Sequence, residues 1–385
     1  MSQEIRGLIP APCDLLALGE PTHLEPSFGW VRNELFARLA GLGFRSIALE
    51  SDRVAALAVD DYVREGAGSL DAVMDAGFSH GFGKAEANRA LVAWMHAYNR
   101  DRPAEERLAF HGFDGPAETT EAPSPRPYLE YARDYLGLDL DIAGLVGDDE
   151  RWARTEAILD PAASPGATPE AARLRAVADD MLVSLHARAP GLIAATSHTA
   201  WLRARTHLTA GLDLLRHHGQ AAHRIDLGPR LNLLAATRAS YMARNLLDIR
   251  TAEARRGPTL AFAHNLHLKP VPTGMAMAGE QLTWSSTGSI VAALSGEEYA
   301  FIAGGLGRSA TIGLAGPGPD TYEAHLGAAV TTWDLVEAAA PASARPRTDA
   351  VPEQGYFPLD RETLDAAAAV LHIPDGPAAA ASLRG

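Results

Sequence analysis

The chain reads as an α/β protein with a central, mostly parallel sheet flanked by helices and a helical insertion capping the C-terminal edge of the strands. Three observations predict it. Short apolar runs recur that end abruptly in ionisable residues, as buried strands do where they reach a sheet edge. The first two runs are separated by one helical segment with short connections, which is the pattern of a right-handed βαβ unit with parallel strands. A long, mostly helical stretch then separates the third run from the fourth.

The first run is Leu15-Leu-Ala-Leu-Gly19, and Glu20 and His23 follow at once. Val31, Leu35, Phe36, Leu39 and Leu42 then recur at three- and four-residue intervals, predicting a helix that Gly41 and Gly43 stop. Ser46-Ile-Ala-Leu-Glu50 is a second strand ending in a carboxylate. Val54 to Val63 reads as helix, Gly77-Phe-Ser-His-Gly-Phe-Gly83 as a glycine-rich turn, and Ala85 to Tyr98 as a further helix. Two more strands end in polar groups: Arg107-Leu-Ala-Phe110 in His111-Gly-Phe-Asp114, and Thr259-Leu-Ala-Phe-Ala263 in His264-Asn-Leu-His267.

Residues 128–218 read as mostly helical, broken by the turn chemistry of Asp160 to Gly166. They form the body of an insertion bounded at 118–220, within a single domain spanning 1–385. His223 to Leu227 reads as a strand, Leu231 to Arg250 as a helix, and Ser289 to Leu294 and Tyr299 to Ala303 as a late helix and strand. The Ala/Pro-rich piece Ala338 to Val351 reads as a mobile loop, and 376–385 as a flexible tail.

Composition narrows the function. Lys and Arg total 34 against 48 Asp and Glu, a formal charge of -14 that argues against a nucleic-acid partner. Cys13 is the one cysteine, so no intrachain disulfide, cysteine-based zinc site or paired-thiol centre can form. Met1 to Pro12 lacks the basic and apolar regions of a signal peptide, and no apolar run approaches the length of a membrane span. The expectation is a soluble, cytoplasmic protein with no membrane partner, acting on a small molecule; nothing indicates an oligomeric state.

Open α/β sheets bind ligands outside the carboxyl ends of their strands, where Glu20, His23, Glu50 and His264 gather. His23 reads as a general base that takes a proton from water, with Glu20 or Glu50 holding its tautomer. Arg32, in the first turns of the following helix, would face the same cleft and steady a substrate oxygen or a developing negative charge. His264 would stabilise that charge or protonate the leaving group. His80, His111, Asp114, Arg238 and His267 are expected to line or brace the substrate site. His207, His217 and His218 read as surface residues of a polar helix.

Glu20-x-x-His23 and His264-x-x-His267 also carry enough imidazole and carboxylate for a zinc or manganese site. Neither pair lies on an evident helix that would turn both ligands to one face, and no His-Glu-x-x-His helix occurs, so the reading is a site without metal. No Gly-x-Ser-x-Gly elbow supplies a serine nucleophile. The glycine clusters at Gly77 to Gly83 and Gly304 to Gly307 lack the endings of phosphate or dinucleotide loops, so no nucleotide cofactor is expected.

These residues resemble the erythromycin esterase family. Gly19-Glu-Pro-Thr-His23 with Phe28 and Arg32 is similar to its Gly-Glu-x-Thr-His segment and the Phe and Arg downstream. Gly43 to Glu50 resembles its second strand, Asp61-Tyr-Val-Arg-Glu-Gly66 the helix after it, Phe110 to Asp114 a Gly-x-Asp strand end, Arg238-Ala-Ser-Tyr-Met-Ala243 its Arg-Asp-x-x-Met-Ala helix, and Ala263-His-Asn-Leu-His267 its Ala-His-Asn-x-His element. The resemblance implies an α/β fold, hydrolysis of a macrolide lactone by water, and an active site of Glu20, His23, Arg32, Glu50 and His264. Leu24, Ser27 and Ala239 depart from the family pattern, which implies a related reaction on another molecule. The leading expectation is therefore a hydrolase of an ester or lactone in a small natural product. Elimination, isomerisation or cyclisation at the same His/Glu site is the enzymatic alternative, and small-molecule binding without turnover the non-enzymatic one.

Overall fold

A computed structural model describes residues 13–117 and 120–384. The expectation that Met1 to Pro12 is no signal peptide, and the first residues of the 118–220 insertion, therefore fall outside the described residues. Seven strands form one sheet: β1 (Leu15–Glu20), β2 (Ser46–Asp52), β3 (Ala109–Asp114), β4 (Thr259–His264), β7 (Tyr299–Arg308), β8 (Asp334–Val336) and β9 (Ala369–Asp375). Their order is β3-β2-β4-β1-β7-β9-β8, parallel except for β8 against β9. A separate antiparallel hairpin pairs β5 (Thr273–Met277) with β6 (Glu280–Trp284).

This order matters for function. Reading across four neighbouring strands, the C-terminal ends carry Asp114, Glu50, His264 and Glu20 in that sequence. Glu20 lies level with His264 in the β1–β4 register. β1 and β4 are buried along their whole length, as strands covered on both faces must be.

One face carries helix α1 (Ser27–Gly41), whose buried Phe28, Val31, Arg32, Leu35, Phe36 and Leu39 follow a helical stripe. Helices α2 (Ala56–Glu65) and α3 (Glu86–Asn99) contribute Val59, Val63, Leu91 and Met95 to the same core. Between β3 and β4 the insertion includes α4 (Arg126–Leu136), α5 (Pro169–Ala187) and α6 (His198–Ala221), which enclose a core of their own around Leu129, Trp152, Leu174 and Leu208. It is followed by α7 (Leu227–Glu253), whose Met242, Leu246 and Ile249 pack on the second face of the sheet, while α8 (Thr287–Ser295) adds Val291 there. Among the described residues no helix is long and apolar enough to cross a membrane.

Three segments differ from expectation. His223 to Leu227 is not a strand: His223 to Asp226 is the exposed link between α6 and α7, and Leu227 opens α7. Residues 376–384 are not a frayed tail: Gly376–Arg384 forms helix α9, with Ala379 and Ala380 buried against the core. The alanines that look like low complexity are strong helix formers, and Pro377 sits in the first turn, where its missing N–H costs nothing. Ala338 to Val351 is irregular yet anchored, because the buried Arg347 donates to the carbonyls of Gly307 at 2.7 Å and Ala315 at 2.8 Å.

Candidate active site

The chain leaves β1 through Gly19, where a Cβ would collide with the Asn265 side chain. That amide is spent on the backbone of Gly304, donating to its carbonyl at 2.8 Å and accepting its N–H at 2.9 Å. The ends of β1, β4 and β7 are thus stitched together, so Glu20 and His264 are held by backbone rather than by free side-chain rotation.

His23 hangs from the turn beyond β1. Its Nδ1–H donates to Glu20 Oε1 at 2.8 Å, which leaves Nε2 as the proton acceptor, 3.7 Å from Glu50 Oε1. Burial alone would lower its pKa, but the two carboxylates outweigh it and hold the imidazole above the ordinary 6.5. Burial raises Glu20 in spite of its bond to His23. Glu50 behaves oppositely: burial would raise it, but His267, His23 and Arg238 carry it well below the usual carboxylate value. Two carboxylates flank one imidazole, and their environments push them apart.

His264 has a different character. The Leu266 N–H donates to its Nδ1 at 3.1 Å, so the proton sits on Nε2, and Nε2 is buried with no partner among the described residues. Burial, with His23 nearby, lowers its pKa to about 3. The ring stands edge-on to His23 with centroids 5.2 Å apart. It is a neutral, buried ring packed between His23 and Phe357, whose ring centre lies 5.0 Å away, and it does not line the cavity beside His23.

Arg32 is 2% exposed on the inner face of α1. Asn33 and Asn88 accept from its guanidinium at 2.7 and 2.8 Å, and it lies 4.9 Å from the centre of the Phe262 ring. Burial lowers its pKa to about 10 against the pull of Glu20, so it remains a cation at neutral pH.

A cavity of about 370 Å³ opens on Glu20, His23, Arg32 and Glu50, with walls from Trp30, Phe82 and Phe262. Among the described residues no serine, threonine or cysteine lines it. The glycine-rich turn supplies one wall: His80 and Gly81 adopt left-handed backbone, φ 57° and 72°, bringing Phe82 within 5.1 Å of the His23 ring, centre to centre. No described residue of the insertion lines this cavity.

The residues expected to bind substrate divide into two groups. His267 meets Glu50 Oε1 at 3.2 Å, while Arg238 reaches Glu50 at 3.5 Å and forks onto Asp114, which also accepts from His80 at 3.0 Å. These four therefore brace Glu50 from behind, and none of them lines the cavity. His111 is not in the site at all: it pairs with Glu253 at 2.9 Å beside a different cavity. It stands three residues before Asp114 on one strand, and alternation turns the two side chains to opposite faces. His217 and His218 are not surface residues but buried ones, 4% and 0% exposed, with pKa values driven by burial to about 3 and about 4. Sequence reasoning passed over Trp30, Asn88 and Arg384 in the cavity wall. Arg384 stands at the mouth, 3.4 Å from Glu86, and lay in the supposed tail.

A mostly parallel sheet that gathers two carboxylates and two histidines at its C-terminal edge, beside a cavity in which no serine, threonine or cysteine is found among the described residues, defines an α/β protein with an ionisable cleft at the edge where such sheets bind ligands. The chain belongs to the erythromycin esterase family, whose sequence profile matches residues 40–375. That match takes in Glu50, Asp114, Arg238 and His264 and begins after Glu20, His23 and Arg32. Membership supports hydrolase activity toward macrolide-like small molecules in general. No curated protein matches the chain in sequence. Among solved structures it is similar in fold to a Bacillus cereus protein (TM-score 0.72, 14% identity, covering 97% of this chain and 91% of that one). It is also similar to a mutant of the erythromycin esterase EreC in its open conformation (0.66, 20%, 97% and 93%). A third is a succinoglycan biosynthesis protein (0.64, 15%, 97% and 90%).

Proposed function

We propose that this protein hydrolyses an ester or lactone of a small natural product by direct attack of water activated at His23. The observation that carries the reading is His23, oriented by Glu20 so that Nε2 is free to accept a proton, in a cavity that Glu50 and the Arg32 cation also line. Water bound at His23 Nε2 attacks the carbonyl carbon and gives up its proton to that nitrogen. The carbonyl oxygen takes on negative charge and meets the Arg32 cation, which lines the cavity. The tetrahedral intermediate then collapses, and the leaving alkoxide takes the proton back from His23, which Glu20 and Glu50 stabilise as imidazolium in the interval. The absence of serine, threonine or cysteine among the described residues of the cavity lining supports water, rather than an acyl-enzyme, as the route.

Turnover in oxygen-18 water tests the reaction class. One solvent oxygen is expected in the carboxylate product under single-turnover conditions. A product free of label would assign the same base to elimination or cyclisation instead.

The scheme uses no metal. Glu50 already accepts from the His264 backbone N–H at 2.9 Å and meets Arg238 and His267, so its oxygens are engaged by protein donors. Dialysis against a chelator is expected to leave turnover unchanged; loss of activity restored by one added divalent ion would overturn this part of the reading.

A further inference from the structure

A second cavity, of about 730 Å³, shares no lining residue with the one at His23. Its floor is the middle of the edge strand β3, from Phe110 to Gly112, and its walls are α2, the first turns of α6 and the last turns of α7. The volume lies within the range of ligand sites for drug-sized molecules. His111, singled out in the sequence and unused by the catalytic site, faces it.

The charges around this cavity do not cancel. Arg53, Arg64, Arg203, Arg205, Arg255 and Arg256 line it, against four carboxylates. Each carboxylate is already engaged: Asp60 meets Arg64 at 3.7 Å, Asp61 meets Arg203, and Glu253 meets Arg256 at 2.6 Å and His111 at 2.9 Å. Asp248 serves two cations, Arg53 at 3.3 Å and Arg205 at 2.7 Å. Of the two positive charges in excess among the described lining residues, one therefore lies at Arg53 and Arg205. Burial lowers Arg53 to about 10, with Asp248 opposing and Arg205 and Arg244 adding to the fall, as expected where cations crowd. The lining also has an apolar part, chiefly Leu57, Phe110, Trp201 and Leu202, and a polar one of His111, His198 and three threonines.

We propose that this cavity is a second ligand site that takes an amphipathic organic anion, its carboxylate or phosphate head on Arg53 and Arg205 and its apolar body against Leu57 and Trp201. A guanidinium pair with a single shared carboxylate is a natural acceptor for a second anion, and forked charge-assisted bonds fix its orientation. The apolar wall supplies the remaining affinity by burying hydrocarbon. The site is independent of the reaction at His23.

Calorimetric titration of the full chain with 4-phenylbutyrate, 4-phenylbutyl phosphate and uncharged 4-phenylbutanol tests it. Both anions are expected to bind, the alcohol at least about ten-fold more weakly, and the ratio of the two anions identifies which head the site prefers. Arg205→Gln should weaken both anions about ten-fold or more, the loss typical of one hydrogen bond to a charged group. Leu57→Trp, which fills the cavity without removing charge, should abolish binding, whereas His23→Ala should leave it unchanged. Variants are compared only with native-like circular dichroism. Equal binding of the alcohol, or anion affinity untouched by both Arg205→Gln and Leu57→Trp, would overturn the proposal; so would loss of binding in His23→Ala, which would move the anion to the other cavity.

Discussion

Replacing His23 with alanine is expected to lower kcat/KM by about 10³-fold, the range of a positioned general base, while the fold is kept. The side chain is 32% exposed on the cavity side, although it also meets Glu20, Glu50 and the rings of Phe82 and His264, so its loss widens an existing cavity instead of opening a sealed one. The wild-type pH profile follows from the same geometry. His23 must be neutral to accept a proton, and its pKa is held above 6.5, so kcat/KM should climb with pH and level off only above that value. For stability the sign is reversed: a raised histidine pKa favours the fold at low pH, and that contribution fades as pH rises through the folded-state value. Glu20→Gln removes one of the two carboxylates that raise His23, so the acid limb should move to lower pH as the maximum rate falls. A normal turnover rate in folded His23→Ala, or an unmoved limb in Glu20→Gln, would remove His23 from its role.

The parts of the site legible in the sequence are those that strand geometry delivers. An apolar run that stops at a carboxylate or histidine marks the sheet edge, and Glu20, Glu50, Asp114 and His264 all lie there. What the pattern cannot carry is strand order. That β4 inserts between β2 and β1 sets His264 between Glu50 and Glu20, and this depends on long-range pairing. Nor does a list of strand ends separate the residues that face the cavity from those behind it. Asp114, Arg238, His80 and His267 cluster correctly, yet they hold Glu50. His111 could have been excluded in advance, because a three-residue offset on a strand reverses the face.

The C-terminal segment and the histidines of α6 depart from expectation for one physical reason: tertiary contacts, not composition, decide order and burial there. The alanine-rich terminus becomes a helix because β9 ends beside α1 and small side chains let the backbones approach; a Cβ at Gly376 would press on the Glu25 carboxylate. The histidines of α6 look like surface because the helix is rich in charge, but the insertion has its own core and buries one side of it. An insertion with its own core can vary in sequence without disturbing the edge where Glu20 and His264 meet.

Removing Arg238 is expected to cost about 3–5 kcal/mol of stability, the loss that follows when one partner of a buried ion pair is deleted. Asp114 is fully buried, and Arg238 contacts both of its oxygens. In Arg238→Ala, His80 at 3.0 Å and the Gly115 N–H at 2.7 Å remain as partners for Asp114, too little to offset the desolvation of a full carboxylate. The pH dependence separates this cause from lost packing. Burial would raise Asp114, but Arg238 and His80 bring its pKa down to about 2. A depressed carboxylate pKa stabilises the fold above the unfolded value, near 3.9, and that stability is lost as pH falls towards 2. The gap between wild type and Arg238→Ala in denaturant unfolding should therefore be widest near neutral pH and narrow as pH falls through the raised Asp114 pKa of the variant towards the wild-type value of about 2, because the unfolded state is common to both. A gap of constant size over that window would mean the guanidinium acts by packing alone. Arg238→Lys should recover only part of the stability, because an ammonium cannot fork onto Asp114 and reach Glu50 together. Because Glu50 loses the same cation, its carboxylate becomes harder to keep ionised beside His23, and turnover should fall in Arg238→Ala at pH values where the variant is fully folded.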